Sequence, residues 1–415
     1  MILRARVVVP VSRPPIPNGA VEVRGNRITA VGRWGDFSPS RCSTRDLGDA
    51  ILLPGLVNAH CHLDYTAMAG EFPPPKVFSD WLKLITTAKA GWNLDDYHQS
   101  WRSGAEMLVR TGTTTVGDIE AIPELLPQVW TDTPLRVVSF LEMIGITGRR
   151  SCQAILQEAA DRVRALKHAR NRVGLSPHAP YSTLPELLRL TATAARRHRW
   201  PVTVHVAESA LEYEMFTRRG GSMFEWIERS GRDMADCGQG TPVQQVCRSG
   251  LPRAQLIAVH ANYLGSGDAG LLAQGGVHVA HCPRSHLYFD HAPFPLRRLL
   301  KAGVNVCLAT DSLASVYQHR GETLELNLFE EMRAVAEAHP WLRPRTILRM
   351  ATVSGARALG MAGKAGQLSQ GGFADLIALP FAGSERGVFD RILEHRGPVA
   401  ASLIGGVWAI PAAAQ

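Results

Sequence analysis

The residues His60-Cys61-His62 close an apolar run, Ile51-Leu52-Leu53-Pro54-Gly55-Leu56-Val57-Asn58-Ala59, and have the types and spacing for metal chemistry. On an extended strand successive side chains point to opposite faces, so His60 and His62 project together while Cys61 turns back. Two imidazoles on one side of a strand end can hold a divalent ion and leave positions for further ligands and a water. Taken alone the pattern is short, and it fits a loop cap beside a surface histidine equally well. Other segments of the chain have to decide.

The elements that would position such a pair are legible as an alternation. β-rich runs at 52–60, 113–119, 135–143, 172–177, 201–206, 255–260, 277–282 and 305–310 are separated by amphipathic stretches such as 97–110, 151–169, 184–199 and 324–338. The stretches carry apolar residues at helical spacing. Eight strand–helix units in sequence predict an α/β fold, a parallel (β/α)8 barrel filling roughly 300 residues. A doubly wound open sheet is the alternative, but no Gly-x-Gly-x-x-Gly follows the first run.

Both ends of the chain have another texture. Short strand candidates with turn signals occur in 1–54, around Arg24-Gly25-Asn26, and again in 364–415, as in Ala374-Asp375-Leu376-Ile377-Ala378-Leu379. Neither end is large enough for a core of its own. The two are therefore expected to form one small composite β-domain, a β-sandwich of 1–54 with 364–415, flanking a barrel at 55–363.

Bulk properties narrow the function classes. The chain has 415 residues, 45% of them hydrophobic and 20% charged, an ordinary globular composition. No apolar run approaches the roughly 20 residues that cross a bilayer, and the amino terminus lacks a signal-peptide pattern, so the cytoplasm is the expected compartment. The net charge of +8 is spread along the chain rather than clustered, and no nucleic-acid motif accompanies it. Neither a nucleic acid nor a membrane is an expected partner. Seven cysteines without a Cys-x-x-Cys pair are expected to be reduced thiols.

Barrel enzymes keep their chemistry at the carboxyl ends of the strands. Here the first run ends in His60 and His62, the fourth in His178, the fifth in His205 with Glu208, the sixth in His260 and the eighth in Asp311. The seventh adds His281 nearby, though at least one of His278 and His281 is expected to be a structural hydrogen-bonder. His286, His291 and His319 fall in predicted loops and read as solvated. A single buried histidine is usually a core residue; a set of them on one rim reads as a site.

The segments Leu53 to His62, His205-Val206-Ala207-Glu208, Val259-His260-Ala261, His281-Cys282-Pro283-Arg284-Ser285 and Thr310-Asp311-Ser312 stand in order along the chain, followed by Gly366-Gln367-Leu368-Ser369-Gln370-Gly371-Gly372-Phe373-Ala374-Asp375-Leu376. In that set the chain resembles the amidohydrolase superfamily, and within it the mononuclear branch that hydrolyses cyclic amidines. The resemblance implies a TIM barrel with one divalent metal ion, zinc or iron, held by His60, His62, His205 and Asp311. Three imidazoles and a carboxylate suit either metal and bring the pKa of a bound water near neutrality. Binuclear relatives usually add a carbamate lysine from the fourth strand, and 172–178 contains none.

The resemblance further implies roles for the remaining residues. Glu208 would protonate a ring nitrogen, His260 would orient the attacking water with Asp311, and Asp311 would pass its proton to the departing amine. The reaction replaces C–NH2 by C=O on an aromatic amidine, at C6 in an adenine. Glu208 also fits a surface carboxylate opening a helix. A barrel that kept the fold and lost the chemistry is a reading of a different class, and the intact set of six residues counts against it.

For the substrate, Phe78-Ser79-Asp80-Trp81-Leu82 is similar to a Phe-x-x-Trp-Leu segment shared by methylthioadenosine/S-adenosylhomocysteine deaminases and aminodeoxyfutalosine deaminases. The first group normally grips the ribose with a glutamate nine residues beyond the tryptophan, where this chain has Ala90. It also uses an arginine on the third strand, where this chain reads Ser139-Phe140-Leu141-Glu142-Met143-Ile144-Gly145. That segment resembles the second group, which converts 6-amino-6-deoxyfutalosine to futalosine and ammonia in menaquinone biosynthesis. Its substrate bears a benzoate, which calls for a cation; Arg149, Arg150 and Arg284 are the candidates. Trp81, Glu142 and His178 are the other expected substrate contacts. Methylthioadenosine, S-adenosylhomocysteine and guanine are the alternatives, the expected partner being in each case a small molecule. A homodimer is the simplest expectation for the assembly.

Overall fold

In the computed structural model, residues 1–38, 43–75, 77–318, 320–321 and 323–412 are described. Cys42 and His319 lie outside them. Chain ends and barrel form two separate eight-stranded sheets. The first contains β1 (Ile2–Val8), β2 (Ile16–Arg24), β3 (Arg27–Arg33), β4 (Thr44–Asp46) and β5 (Ala50–Pro54). The second contains β6 (Leu56–Cys61), β7 (Thr113–Glu120), β8 (Arg136–Met143), β9 (Arg172–Pro177), β10 (Val202–Val206), β11 (Leu256–His260), β12 (His278–His281) and β13 (Asn305–Leu308). β14 (Leu376–Pro380), β15 (Ala401–Ile404) and β16 (Val407–Ile410) return to the first sheet.

The apolar run expected as one strand at 52–60 is two, broken at Gly55. Its first half pairs with β1 and β14, and its second half opens the barrel beside β7. A Cβ on Gly55 would lie 2.1 Å from the Thr114 side chain, so only glycine lets the chain pass from one sheet to the other here. Hydrophobicity continues unbroken across the join because both halves are fully buried, which hides the break from periodicity.

β6 to β13 lie in sequence order, each parallel to its neighbour. A parallel bridge between Cys61 and Asp311 closes the ring. Below it Asn58 Nδ2 donates to Thr310 Oγ1 at 2.7 Å, and the Thr310 amide donates to Asn58 Oδ1 at 3.1 Å. Alternate residues of β11 belong to different apolar clusters, Leu256 and Ala258 to one and Ile257 and Val259 to another, the signature of a strand buried on both faces. In β10, Val202, Val204 and Val206 pack with Leu188, Ala192 and Ala195 of the helix Pro185–His198. Thr203 and His205 therefore project to the opposite face.

Capping side chains set the helix starts. Leu94–Arg110 begins three residues before the periodicity because Asn93 accepts from the Asp95 and Asp96 amides. Cys152–Ala165 begins on Ser151, which accepts from the Ala154 amide, and Leu328–Ala338 begins on Asn327. No helix among the described residues is long and apolar enough to cross a membrane.

The terminal sheet curls until its far edge meets the segment entering β14. The Gly371 amide donates to Ile28 O, the Ile28 amide to Gly372 O and the Ala374 amide to Asn26 O. Leu3, Val8, Val21, Ile28, Leu376 and Leu403 form the core inside that curl. A buried ion pair ties sheet to barrel: Arg136 at the start of β8 donates to Asp375 through Nε at 3.0 Å and Nη2 at 3.2 Å. The helix Val388–Glu394 lies in the carboxyl-terminal stretch, yet it packs against the barrel's outer helices through Val388, Ile392 and Leu393.

Candidate metal and catalytic site

At the carboxyl ends of the strands the backbone turns abruptly. Ala207, His260, Ala261 and Asp311 all have left-handed φ, at 52°, 71°, 52° and 56°. Side-chain-bearing residues rarely adopt this conformation, and such strain collects at functional sites. The turns stop β10, β11 and the last barrel strand at one level and aim their final side chains across the same rim.

His60, His62, His205, His260 and Asp311 meet there, all buried. His60 Nε2 lies 3.4 Å from Asp311 Oδ1, and His62 Nε2 lies 3.8 Å from the same oxygen. His62 Nε2 and His205 Nε2 are 3.3 Å apart. His205 Nδ1 is 3.0 Å from the His178 carbonyl, so it carries the proton and leaves its Nε2 lone pair facing the cluster. Asp311 Oδ2 accepts from Ser285 Oγ at 2.7 Å and Ser315 Oγ at 3.3 Å, which leaves Oδ1 toward the imidazoles.

These donors fit a divalent ion. His60 Nε2 and His260 Nε2 are buried without a hydrogen-bond partner among the described residues. At 3.3 Å His62 Nε2 donates to the His205 Nε2 lone pair in one tautomer, and in the other both lone pairs turn to a common ion. One cation held by His60, His62 and His205 would answer those three ring nitrogens at once and leave His260 Nε2 for a water. Burial pushes the His62 and His205 pKa values well below the usual imidazole range and His260 to about 3, so the rings are neutral as ligation requires. Burial alone would raise the Asp311 carboxyl, but the imidazoles of His60, His260 and His62 facing it hold it well below the carboxylate range. His60, His205 and His260 form one group of closely spaced donors, and His60, His62 and Asp311 another.

Glu208 stands two residues beyond β10, just ahead of the helix Ala210–Arg218 that Ser209 caps. Its backbone is held at both ends: the amide donates to Glu212 Oε2 at 2.8 Å, and Asn262 Nδ2 donates to its carbonyl at 2.9 Å. Its Oε1 lies 3.4 Å from His260 Nε2. Burial, then the Asp311 and Glu212 charges, push its carboxyl well above the carboxylate range. One rim thus holds one carboxyl pushed toward its ionised form and one pushed toward its protonated form, the pattern of a base and an acid with separate tasks.

The rim opens into a cavity of about 290 Å³ lined by His62, His205, Glu208, His260 and Asp311. Of the expected substrate contacts, Trp81, Glu142 and His178 line it. Trp81 Nε1 donates to Ala314 O at 3.1 Å, and His178 Nδ1 is 2.5 Å from Ser182 Oγ. Arg149, Arg150 and Arg284 are not brought to the cavity. Arg149 is exposed, and Arg150 pairs with Glu158. Arg284 is turned the other way, with Nη1 2.8 Å from Glu330 Oε2 and donating to Glu325 O at 2.9 Å. No arginine lines the cavity among the described residues.

Sequence reasoning missed other wall residues, Tyr65, Ile85, Lys89, Ile144, Tyr181 and Trp226 among them. The helix Phe78–Lys89 supplies 81, 82, 85, 86 and 89, one face at i, i+4 and i+8 spacing, and that spacing was the available signal. His281 lies outside this cavity, stacked on Phe294 at 3.7 Å between ring centres. His286 and His291, expected as solvated, are half-buried in the same separate cluster, and His286 Nδ1 is 3.1 Å from Asn262 Oδ1.

The chain resembles known proteins over most of its length. The sequence pattern of the amidohydrolase family matches residues 51–390. A 5-methylthioadenosine/S-adenosylhomocysteine deaminase of Syntrophobacter fumaroxidans is 32% identical over 387 residues, covering 88% of this chain and 80% of the relative. An aminodeoxyfutalosine deaminase of Deinococcus radiodurans is 30% identical over 357 residues, covering 82% and 81%. The crystal structure of an adenosine deaminase from Xanthomonas campestris with bound zinc superimposes with a TM-score of 0.84 at 25% identity, covering 99% of this chain and 92% of that one.

Proposed function

The chain belongs to the amidohydrolase family, and from that premise we propose that it is a metal-dependent hydrolytic deaminase of adenine nucleosides. The observation that carries the reading is one rim where His60, His62, His205 and Asp311 face each other and Glu208 faces the same cavity. His60, His62, His205 and Asp311 would hold a divalent ion, zinc or iron, which when bound would lower the pKa of water toward neutrality and so supply the nucleophile.

The protein's own groups carry the protons. Glu208 delivers its proton to N1 of the purine as the new C6–O bond forms. Neutral His260 accepts a hydrogen bond from the attacking water at Nε2, and Asp311 Oδ1 holds the water from the other side. Asp311 then takes the water's proton and passes it to the C6 amino group. As the C6–N bond breaks and ammonia leaves, the proton remaining on the new C6 hydroxyl returns to the Glu208 carboxylate, and the ring retains the carbonyl oxygen at C6 and the proton at N1. Trp81, Tyr181 and Trp226 offer flat apolar walls to the base and keep bulk water out. His178, its Nδ1 facing Ser182, has Nε2 left for the purine.

Within this class 6-amino-6-deoxyfutalosine is the first substrate to test, supported by the Deinococcus radiodurans relative and by Glu142 on the third barrel strand. The lack of an arginine on the cavity wall among the described residues favours a second reading, a nucleoside with an uncharged 5′ substituent such as methylthioadenosine. Ammonia release from aminodeoxyfutalosine, methylthioadenosine, S-adenosylhomocysteine, adenosine and guanine separates them. At least one adenine nucleoside is expected to turn over with kcat/KM above about 10⁴ M⁻¹s⁻¹. Ammonia from guanine alone, or from none of the panel, overturns the reading.

A further inference from the structure

Lys89 and Glu142 line the same cavity as the metal donors, and the mechanism above uses neither. Lys89 ends the helix Phe78–Lys89, and its ammonium lies 4.4 Å from the centre of the Tyr65 ring. That ring stacks on the His62 imidazole at 4.9 Å between centres, so Lys89 sits one side chain away from the metal donors. Its Nζ donates to Tyr65 Oη at 3.2 Å and to Asp64 Oδ2 at 3.4 Å. An ammonium has three donors, which leaves one over among the described partners.

Glu142 is next to last in β8, half-buried on the cavity wall. Its carboxylate has no hydrogen bond or ion pair among the described residues, although its charge acts on Lys89, Asp64 and Tyr65. A carboxylate with free lone pairs and a lysine with a free proton therefore line one cavity with the metal donors.

The charge count selects the ligand group. The one ammonium already faces two carboxylates, Asp64 and Glu142. A third carboxylate, carried in by a substrate, would meet more negative charge than positive. A vicinal diol is neutral; both hydroxyls can donate to the two oxygens of Glu142 while one accepts from Lys89. Resting on the nucleoside reading, we propose that Lys89 and Glu142 form the subsite that holds the 2′- and 3′-hydroxyls of the substrate's sugar and selects for an intact ribose.

The test compares adenosine with 2′,3′-dideoxyadenosine as substrates, and inosine with 2′,3′-dideoxyinosine as ligands by calorimetric titration, in the metal-loaded protein. Wild type is expected to prefer the diol by about 10- to 100-fold in kcat/KM and in Kd. In Glu142→Gln and in Lys89→Met that ratio falls to within about threefold of unity. Lys89→Met leaves Asp64 buried without its cation and can fail to fold; Glu142→Gln breaks no pair and carries the test alone in that event. A diol preference that survives in Glu142→Gln overturns the subsite while leaving the deaminase reading intact. Equal affinities in wild type, or no binding of either ligand, overturn it as well. Diol-dependent binding without ammonia release overturns the deaminase reading and leaves the subsite standing.

Discussion

Glu208 and Asp311 are two buried carboxyl groups on one rim, and their surroundings push them in opposite directions. If Glu208 serves the purine nitrogen and not the metal, Glu208→Gln keeps one equivalent of metal per chain while ammonia release falls about 10²- to 10⁴-fold. Elemental analysis beside an ammonia assay reads both; loss of the metal in that variant makes Glu208 a ligand, and wild-type rates remove it from catalysis. The six rim residues were legible in the sequence because each closes an apolar run and because histidine and acidic residues at such places have few other uses. Arg149 and Arg284 were not, since a charge in a sequence has no direction. Arg284 lies on the short helix beside Ser285, an Asp311 partner, yet its guanidinium turns to Glu330 and Glu325 O. Lys89, Tyr65 and Trp226 stayed hidden because nothing but a helix face or a loop path separates them from ordinary surface residues.

The elements hold these residues by stopping at the right level. β10, β11 and β13 are four or five residues long, and each gives way to left-handed backbone at or just beyond its end. Strand positions could be read from the apolar runs; the turns could not, because Ala207 gives no sign of positive φ, and histidine and aspartate, though enriched there, adopt it in only a small minority of cases. The break at Gly55 was hidden for a related reason: the residues on either side are equally buried, and the contact that demands glycine comes from Thr114, remote in sequence. At the other end of the barrel, Arg136 and Asp375 join β8 to the terminal sheet, with side-chain exposures of 7% and 3%. Asp375→Asn leaves that guanidinium buried without its counter-charge. It is expected to lower stability by about 3 kcal/mol in urea unfolding. The kcat/KM ratio to wild type should stay near one, because the pair lies at the amino ends of the strands, away from the rim. A stability change below about 1 kcal/mol would show the pair to be dispensable.

At the scale of the molecule, a ring of parallel strands brings together residues from 60 to 311 that no local pattern connects. The barrel was legible because eight apolar runs alternate with amphipathic helices. The curl of the terminal sheet was less so, since it depends on main-chain bonds from Gly371 and Ala374 to the β2–β3 hairpin. On the proposed function, this ring assembles one metal site that deaminates an adenine nucleoside. Titrating zinc into chelator-stripped protein while recording ammonia release from the preferred nucleoside tests it most directly. The rate is expected to rise linearly and level off at one equivalent per chain. A plateau only at two equivalents, or full activity in the stripped protein, would contradict it.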